Sequence, residues 1–320
     1  MKVAVLALDG VFGSGLSAIL DVLHTANALR DELPQPPPEW RLRTVGFRRR
    51  VTTGVGHVVL TEPARSALDA DLLVVPAAAE RRPDALLAYV SGDTTRPARR
   101  LLAEAGAAGM PMASACTGTF LLAESGVLDG RRATTSWWLS PVFRARYPAV
   151  DLDETAMVAF SGGVTTAGAA FSHLDLALAV VRASSPALAE LVSRYLVVDD
   201  RPSQAAYAIP AALARNDPTV SAFERWAREH LHEPLVVPDA ARALGISERT
   251  LQRALSRTLG TTPVRFVQDL RIEQAGHLLR TTDLPLPVIA RRVGYENAST
   301  LRLLLRTRAG TTATGLRGRG

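Results

Sequence analysis

The chain comprises 320 residues, 47% hydrophobic and 21% charged, which suits about two globular domains. Lys2 is followed by six apolar residues before Asp9, too short a run for a secretory core. No stretch reaches the roughly 18 apolar residues of a membrane span, so a cytoplasmic protein without membrane contact is expected. A single cysteine, Cys116, excludes an intramolecular disulfide, and the histidines lack zinc-site spacing, so neither metal nor cofactor is expected; His230 and His232 fit surface histidines closing a helix better than ligands.

From the N-terminus, short apolar runs alternate with helical segments. Val3 to Leu8 suits a buried strand that opens into Asp9 and Gly10, and residues 17–29 have helical periodicity, with Ile19, Leu20, Leu23 and Ala26 on one side. After the proline-rich break "LPQPPPEW", the runs "WRLRTVGF" and "HVVLTE" read as strands, Asp71 to Ala77 as a central parallel strand, and "RPARRLLAEAGAAG" as the helix feeding the strand "PMASA". Repeated strand, helix, strand units predict a parallel sheet covered on both faces, with its site at the carboxyl ends of the strands.

Cys116 stands at such an end. A strand, a sharp turn bearing a nucleophile and then a helix make a nucleophile elbow, which needs small neighbours; Ser114, Ala115 and Gly118 supply them. The helix N-terminus is expected to lower the thiol pKa. Equally, a lone cysteine serves as a small buried apolar residue.

The stretch "ASACTGTFLLAESGVLDGRRATTSWW", with "VAVLALDGV" and "GGVTTAGAAFSHLDLALAVV", resembles the DJ-1/PfpI (class I glutamine-amidotransferase-like) domain at the N-terminus of GlxA-type AraC-family regulators, over about residues 1–195. In the enzymes of that superfamily the resemblance implies a cysteine activated by a nearby His or acid, and an oxyanion hole after "VVPGG". Here Thr117 stands where related peptidases carry His, Gly15 where relatives carry the acid, Ala77 and Ala78 replace the two glycines, and Ser136 stands where many regulators have His. A nucleophile without a base and without preorganised donors is a degenerate site, although Ala77 can still present its amide. A catalytic role is therefore not expected, and Cys116 is read as a residual elbow position. Asp9, Ala77, Cys116, Thr117 and Thr166 are the candidate ligand-lining residues. Trp137 and Trp138 are read as packing, and His173 and Asp175 as the start of a helix capped by Ser172.

Beyond Tyr195 the chain turns polar and proline-containing, which places a linker at 196–215 and a second domain at 216–320, opened by Asn216 or Asp217 as cap and Pro218 in the first turn. Residues 221–320 hold 16 Arg against 9 acids (+7), whereas residues 1–220 hold 21 Lys or Arg against 22 acids (−1). Such a basic block suits a polyanion. In "VPDAARALGISERTLQRALSRTLG" a helix, a turn at Gly245 with Ile246 buried and a second helix capped by Ser247 form a helix-turn-helix. Leu251, Ala254, Leu255 and Thr258 share one side of that second helix, and Arg249, Thr250, Gln252, Arg253 and Arg257 fan over the other, types that pair with base edges and phosphates. A second unit follows, with Val288, Ile289, Ala290 and Val293 packing, Gly294 turning, and a helix from about Ala298 carrying Ser299, Thr300, Arg302 and Arg306 outward.

Two such units joined by one long helix resemble the AraC/XylS DNA-binding domain over roughly residues 220–318. Departures are Leu303, where the family commonly has Arg, and Ala313 and Leu316, where it usually has Pro and Tyr, leaving the last turn less anchored; Arg317 and Arg319 either touch phosphate or hang free. The sequence thus predicts a flavodoxin-like, parallel-sheet DJ-1/PfpI-like α/β domain followed by an all-α double helix-turn-helix domain. The expected function is a homodimeric, sequence-specific regulator binding operator half-sites in double-stranded DNA, with a possible small-molecule effector. The alternatives are a cysteine-dependent hydrolase, hydratase or glyoxalase-like enzyme at Cys116, or a thiol redox sensor.

Overall fold

The computed structural model describes residues 1–199, 201, 203–204, 207, 217–309 and 311–317, so most of the expected linker at 196–215, the alternative cap Asn216 and the C-terminal Arg319 lie outside the described residues. Two compact units divide the chain, Met1–Gln204 and Ala205–Gly320.

The first unit is built on a seven-stranded sheet. Strands β1 (Lys2–Leu6), β2 (Arg41–Gly46), β5 (Glu62–Pro63), β6 (Leu72–Val75), β7 (Met112–Ala115), β10 (Val158–Ser161) and β11 (Val164–Ala167) lie in the order β10-β11-β7-β6-β1-β2-β5. All neighbours are parallel except β10 and β11. That antiparallel edge was not expected; Gly162 and Gly163, at φ 55° and 79°, make the tight turn that folds one strand back on the other. Two short pairs complete the strands: the hairpin β3 (Arg50–Thr52) with β4 (Val58–Leu60), and β8 (Arg132–Ala133) with β9 (Asp151–Leu152).

The central strands are buried on both faces because both faces carry helices, which is why β1 and β6 read as continuous apolar runs. Val3, Val5, Leu72 and Val74 enter one core with α1 (Gly13–Leu29), α6 (Ser172–Ser184) and α7 (Pro186–Tyr195). Ala4, Leu6, Leu73 and Val75 enter the other with α2 (Pro83–Ser91), α3 (Arg96–Ala107), α4 (Gly118–Glu124) and α5 (Ser140–Arg146). In α1 the buried Leu16, Ile19, Leu23 and Ala26 follow the helical period. Trp137 and Trp138 meet edge to face at 5.4 Å, and Trp138 packs on the second core.

The second unit is helical: α8 (Pro218–Glu229), α9 (Val237–Ala243), α10 (Glu248–Leu259), α11 (Pro263–Thr281), α12 (Leu286–Arg292), α13 (Ala298–Arg308) and α14 (Ala313–Arg317). Asp217 caps α8 by accepting from the amides of Thr219 and Val220, and Ser247 caps α10 through the amide of Thr250. Each helix-turn-helix has its own core, and α11 serves both, giving Phe266, Val267 and Leu270 to the first and Ala275 and Leu279 to the second. The last turn is anchored: Ala313 and Leu316 pack on the second core, and Arg317 donates to the carbonyl of Leu284 rather than hanging free.

Candidate nucleic-acid interface and elbow pocket

At the end of β7, Cys116 takes φ 57°, a left-handed backbone that costs a non-glycine residue roughly 1–3 kcal/mol and is held only where its surroundings over-determine it. The Cys116 amide donates to Ala167 O at 2.9 Å, and its carbonyl accepts from Thr135 Oγ1 at 2.7 Å. A Cβ at Gly118 would come within 2.5 Å of the Val75 carbonyl, so the helix can start so close to the sheet only with glycine there. The elbow geometry expected from the small residues is present.

Its electrostatics are not those of an activated thiol. Cys116 is buried, and burial pushes its pKa up, against the downward pull of hydrogen bonds from Ser136 and Thr117. The expectation that the helix terminus favours the thiolate is therefore corrected: desolvation outweighs it. Sγ lies 2.8 Å from the Ser136 hydroxyl, which does not act as a base at neutral pH. A thiol-specific reagent near pH 7 should label the native protein far more slowly than the urea-unfolded chain; equal rates would contradict this burial.

A second correction concerns the oxyanion-type donor. The Ala77 amide is already taken, donating to His173 Nε2 at 3.1 Å, while His173 Nδ1 faces the Ala170 carbonyl. Burial lowers the His173 pKa to about 4, so the ring is neutral and its Nε2 lone pair is free to accept. A Cβ at Gly15 would lie 2.6 Å from that nitrogen, so the glycine standing where relatives carry an acid is what admits the imidazole. His173 is thus more than a helix-start residue. Ser172 is the first residue of α6 rather than its cap, and its buried hydroxyl has no hydrogen-bond partner among the described residues. Asp175 pairs with Arg201.

The five candidate ligand-lining residues fall into separate places. Ala77 and Thr117 line a cavity with Pro76, Ala78, Tyr89 and Leu121, whose volume of ≈ 20 Å³ holds about one water. Thr117 Oγ1 donates to the Ala78 carbonyl. Asp9 sits at the surface, accepting from the Thr52 amide at 2.9 Å and Arg48 at 3.0 Å, while its carbonyl accepts from the Tyr89 hydroxyl. Thr166 is buried and accepts from the Thr134 amide at 2.8 Å, among the threonines beside Ser136. Sequence reasoning missed Gln204, whose fully buried carboxamide joins this threonine cluster; nothing in a polar, proline-flanked stretch announced it.

In the helical unit, Leu251, Ala254, Leu255 and Thr258 are buried, and Arg249, Thr250, Gln252, Arg253 and Arg257 are exposed on α10, as the periodicity required. Arg257 is tied back to Asp217 at 2.9 Å, so of the three arginines on this face Arg249 and Arg253 make no ion pair among the described residues. On α13, Ser299, Thr300, Arg302 and Arg306 are exposed opposite the buried Leu301 and Leu305, and Leu303 is 60% exposed. Asn297 caps α13 through the Ser299 amide. Arg271, on α11, is buried: it donates to the carbonyls of Leu231 and Glu233 and lies 5.3 Å from the ring centre of Tyr295, linking the two helix-turn-helix cores. His230 Nδ1 bonds the Trp226 carbonyl and its ring stacks on Trp226, which accounts for it without a metal.

These arrangements define a mostly parallel α/β unit followed by a unit of two helix-turn-helices. Residues 240–319 match the family described as helix-turn-helix domain. The fold of the α/β unit is that of a ThiJ/PfpI family protein from Pseudomonas syringae (TM-score 0.50, 20% identity, 63% of this chain and 76% of that one) and of an AraC family transcriptional regulator from Pseudomonas putida (TM-score 0.51, 24% identity, 61% and 98%). In sequence the chain is similar to the HTH-type transcriptional regulator CdhR of Pseudomonas aeruginosa, 32% identical over 196 residues, covering 60% of this chain and 58% of that protein. It is also similar to the HTH-type transcriptional regulator GlxA of Rhizobium meliloti, 28% identical over 204 residues, covering 59% of each. The chain therefore spans less than two thirds of the length of either relative. The resemblance read from the sequence is borne out.

Proposed function

We propose that the chain is a sequence-specific, double-stranded-DNA-binding transcriptional regulator. The observation that carries this reading is the pair of helix-turn-helix units, each turning an acid-poor, arginine-bearing helix face to solvent, within the segment that matches the helix-turn-helix family. On this reading Arg249, Thr250, Gln252, Arg253 and Arg257 contact one segment of major groove, and Ser299, Thr300, Arg302 and Arg306 the next. Homodimerisation on paired half-sites, a cytoplasmic location and a small-molecule effector of the α/β unit belong to the same proposal. No helix among the described residues is long and apolar enough to cross a membrane.

The α/β unit is proposed to sense or to dimerise rather than to catalyse. The support is chemical: a buried thiol of raised pKa, a serine where a base would stand, and the Ala77 amide held by His173. The same burial disfavours a redox-sensor role for Cys116.

The test is selection of bound fragments from random DNA, followed by titrations at two salt concentrations with Arg249→Ala and Arg253→Ala. A lost base contact should weaken binding by about 1–3 kcal/mol and relax the site at one position; a lost phosphate contact should lower the salt slope by about 1. Failure to enrich any sequence, or unchanged affinity in both variants, would refute the reading.

A further inference from the structure

The chain leaving α7 returns to the α/β unit before it leads on to the helical one. Arg201 pairs with Asp175 and donates to the Phe171 carbonyl; the Ser203 hydroxyl and the Gln204 amide both donate to the Thr155 carbonyl, at 2.8 and 2.9 Å. This places the Gln204 side chain, with no exposed surface, in a polar slot. Its Nε2 donates to Thr135 O at 2.8 Å, Thr134 Oγ1 at 3.1 Å and Ala156 O at 3.2 Å, and its Oε1 lies 3.3 Å from the Trp137 amide, which donates to it.

The slot has the shape and polarity of a carboxamide site. Three acceptors face the NH2 end, one backbone donor faces the oxygen, and a Cβ at Gly168 would fall 2.5 to 2.7 Å from the carboxamide atoms, so glycine there is what leaves room. A carboxylate would set its second oxygen against two carbonyls, and an ammonium would leave the Trp137 amide unpaired, so the recognition is for a neutral primary amide. The slot adjoins the elbow directly: Thr135 Oγ1 donates to the Cys116 carbonyl, and Ser136, between Thr135 and Trp137, bonds Cys116 Sγ.

We propose that this slot is a ligand site for small molecules bearing a primary carboxamide, filled in cis by Gln204, and that a free amide entering it releases Ser203 and Gln204 from the α/β unit. The proposal deepens the reading of that unit as a sensor and rests on it. Gln204 acts as a tethered competitor: the apparent affinity for a free amide is reduced by the fraction of molecules in which the slot is vacated. The segment released is the part of the chain that leads toward the helical unit, so occupancy of the slot is reported along the chain rather than by a movement of the sheet.

Gln204→Ala removes the atoms of acetamide from the slot, which makes acetamide the probe. Full-length Gln204→Ala should bind acetamide at about millimolar concentration with a rise in Tm, the wild type at least tenfold more weakly, and acetate should bind neither. Gly168→Ala added to Gln204→Ala should abolish binding. In the wild type, saturating acetamide should speed hydrogen exchange at the Gln204 amide. The proposal is overturned by a folded Gln204→Ala that ignores acetamide, by equal affinity of variant and wild type, by equal binding of acetate, or by a variant that unfolds and is not rescued by acetamide. Operator binding is measured on the same preparations: loss of amide binding with DNA binding intact sinks the slot alone, and amide binding without any DNA binding sinks the regulator reading alone.

Discussion

Replacing Gly294 by alanine should unfold the second helix-turn-helix, whereas the same change at Gly245 should cost only the backbone penalty of about 1–2 kcal/mol. Both glycines make the turn of a helix-turn-helix, and both have positive φ, 79° and 67°. Each substitution therefore carries the left-handed penalty of roughly 1–2 kcal/mol. They differ in what surrounds them. A Cβ at Gly245 meets nothing within 4 Å, but at Gly294 it would lie 2.2 Å from the Leu231 carbonyl and 2.7 Å from the Arg271 guanidinium. The carbonyl is backbone and cannot step aside, and moving Arg271 breaks its bond to that same carbonyl while leaving a charge buried. The combined loss for Gly294→Ala should exceed about 3 kcal/mol. Hydrogen exchange in α13 of the full chain is the measurement: Gly294→Ala should raise it to near the unfolded rate, Gly245→Ala should leave it close to wild type, and similar behaviour of the two would count against the Arg271 contact.

His173 should make the α/β unit acid-sensitive. The fold lowers its pKa from 6.5 to about 4 because the ring is desolvated, with the Ala170 carbonyl pulling weakly the other way. The neutral form is the one the fold prefers, so this stability is fully present above pH 6.5 and is lost as pH falls toward about 4, where the folded protein at last takes the proton. The depth of the fall is about 3 kcal/mol at one proton per molecule. Unfolding of the full chain followed by exchange at the amides of β1 and β6 between pH 4 and 8 reads it directly. His173→Gln offers the Ala77 amide an acceptor that does not titrate, and should flatten the profile; an unchanged profile would place the acid sensitivity elsewhere.

The architecture was legible because its signals are periodic. The alternation of apolar runs and helical segments encodes the layered sheet, and the spacing of Leu251, Ala254, Leu255 and Thr258 encodes which face of α10 is buried. Turn chemistry decided what periodicity could not. The antiparallel edge strand hinged on Gly162 and Gly163, a pair the apolar pattern does not weigh. In the elbow pocket the residue types were readable but their pairings were not. That Ala77 lacks a glycine's freedom is visible in the chain; that its amide is spent on a histidine 96 positions later is a long-range contact with no local signature. Gln204 is harder still, since a glutamine in a polar stretch is ordinarily solvated, and only the absent Cβ of Gly168 and the carbonyls of Thr135 and Ala156 make it a core residue.

On the proposed function, the buried Arg271, seated between the first helix-turn-helix and Tyr295 of the second, would give the operator a phase. Each base pair turns the duplex by roughly 34° and advances it by about 3.4 Å. A reader with a loose joint could follow one inserted base pair by twisting. Here the twist would have to break the bond of Arg271 to the Leu231 carbonyl and push Gly294 against it, so a regulator of the proposed kind would read its two groove segments as one word of fixed length rather than as two syllables with a variable pause.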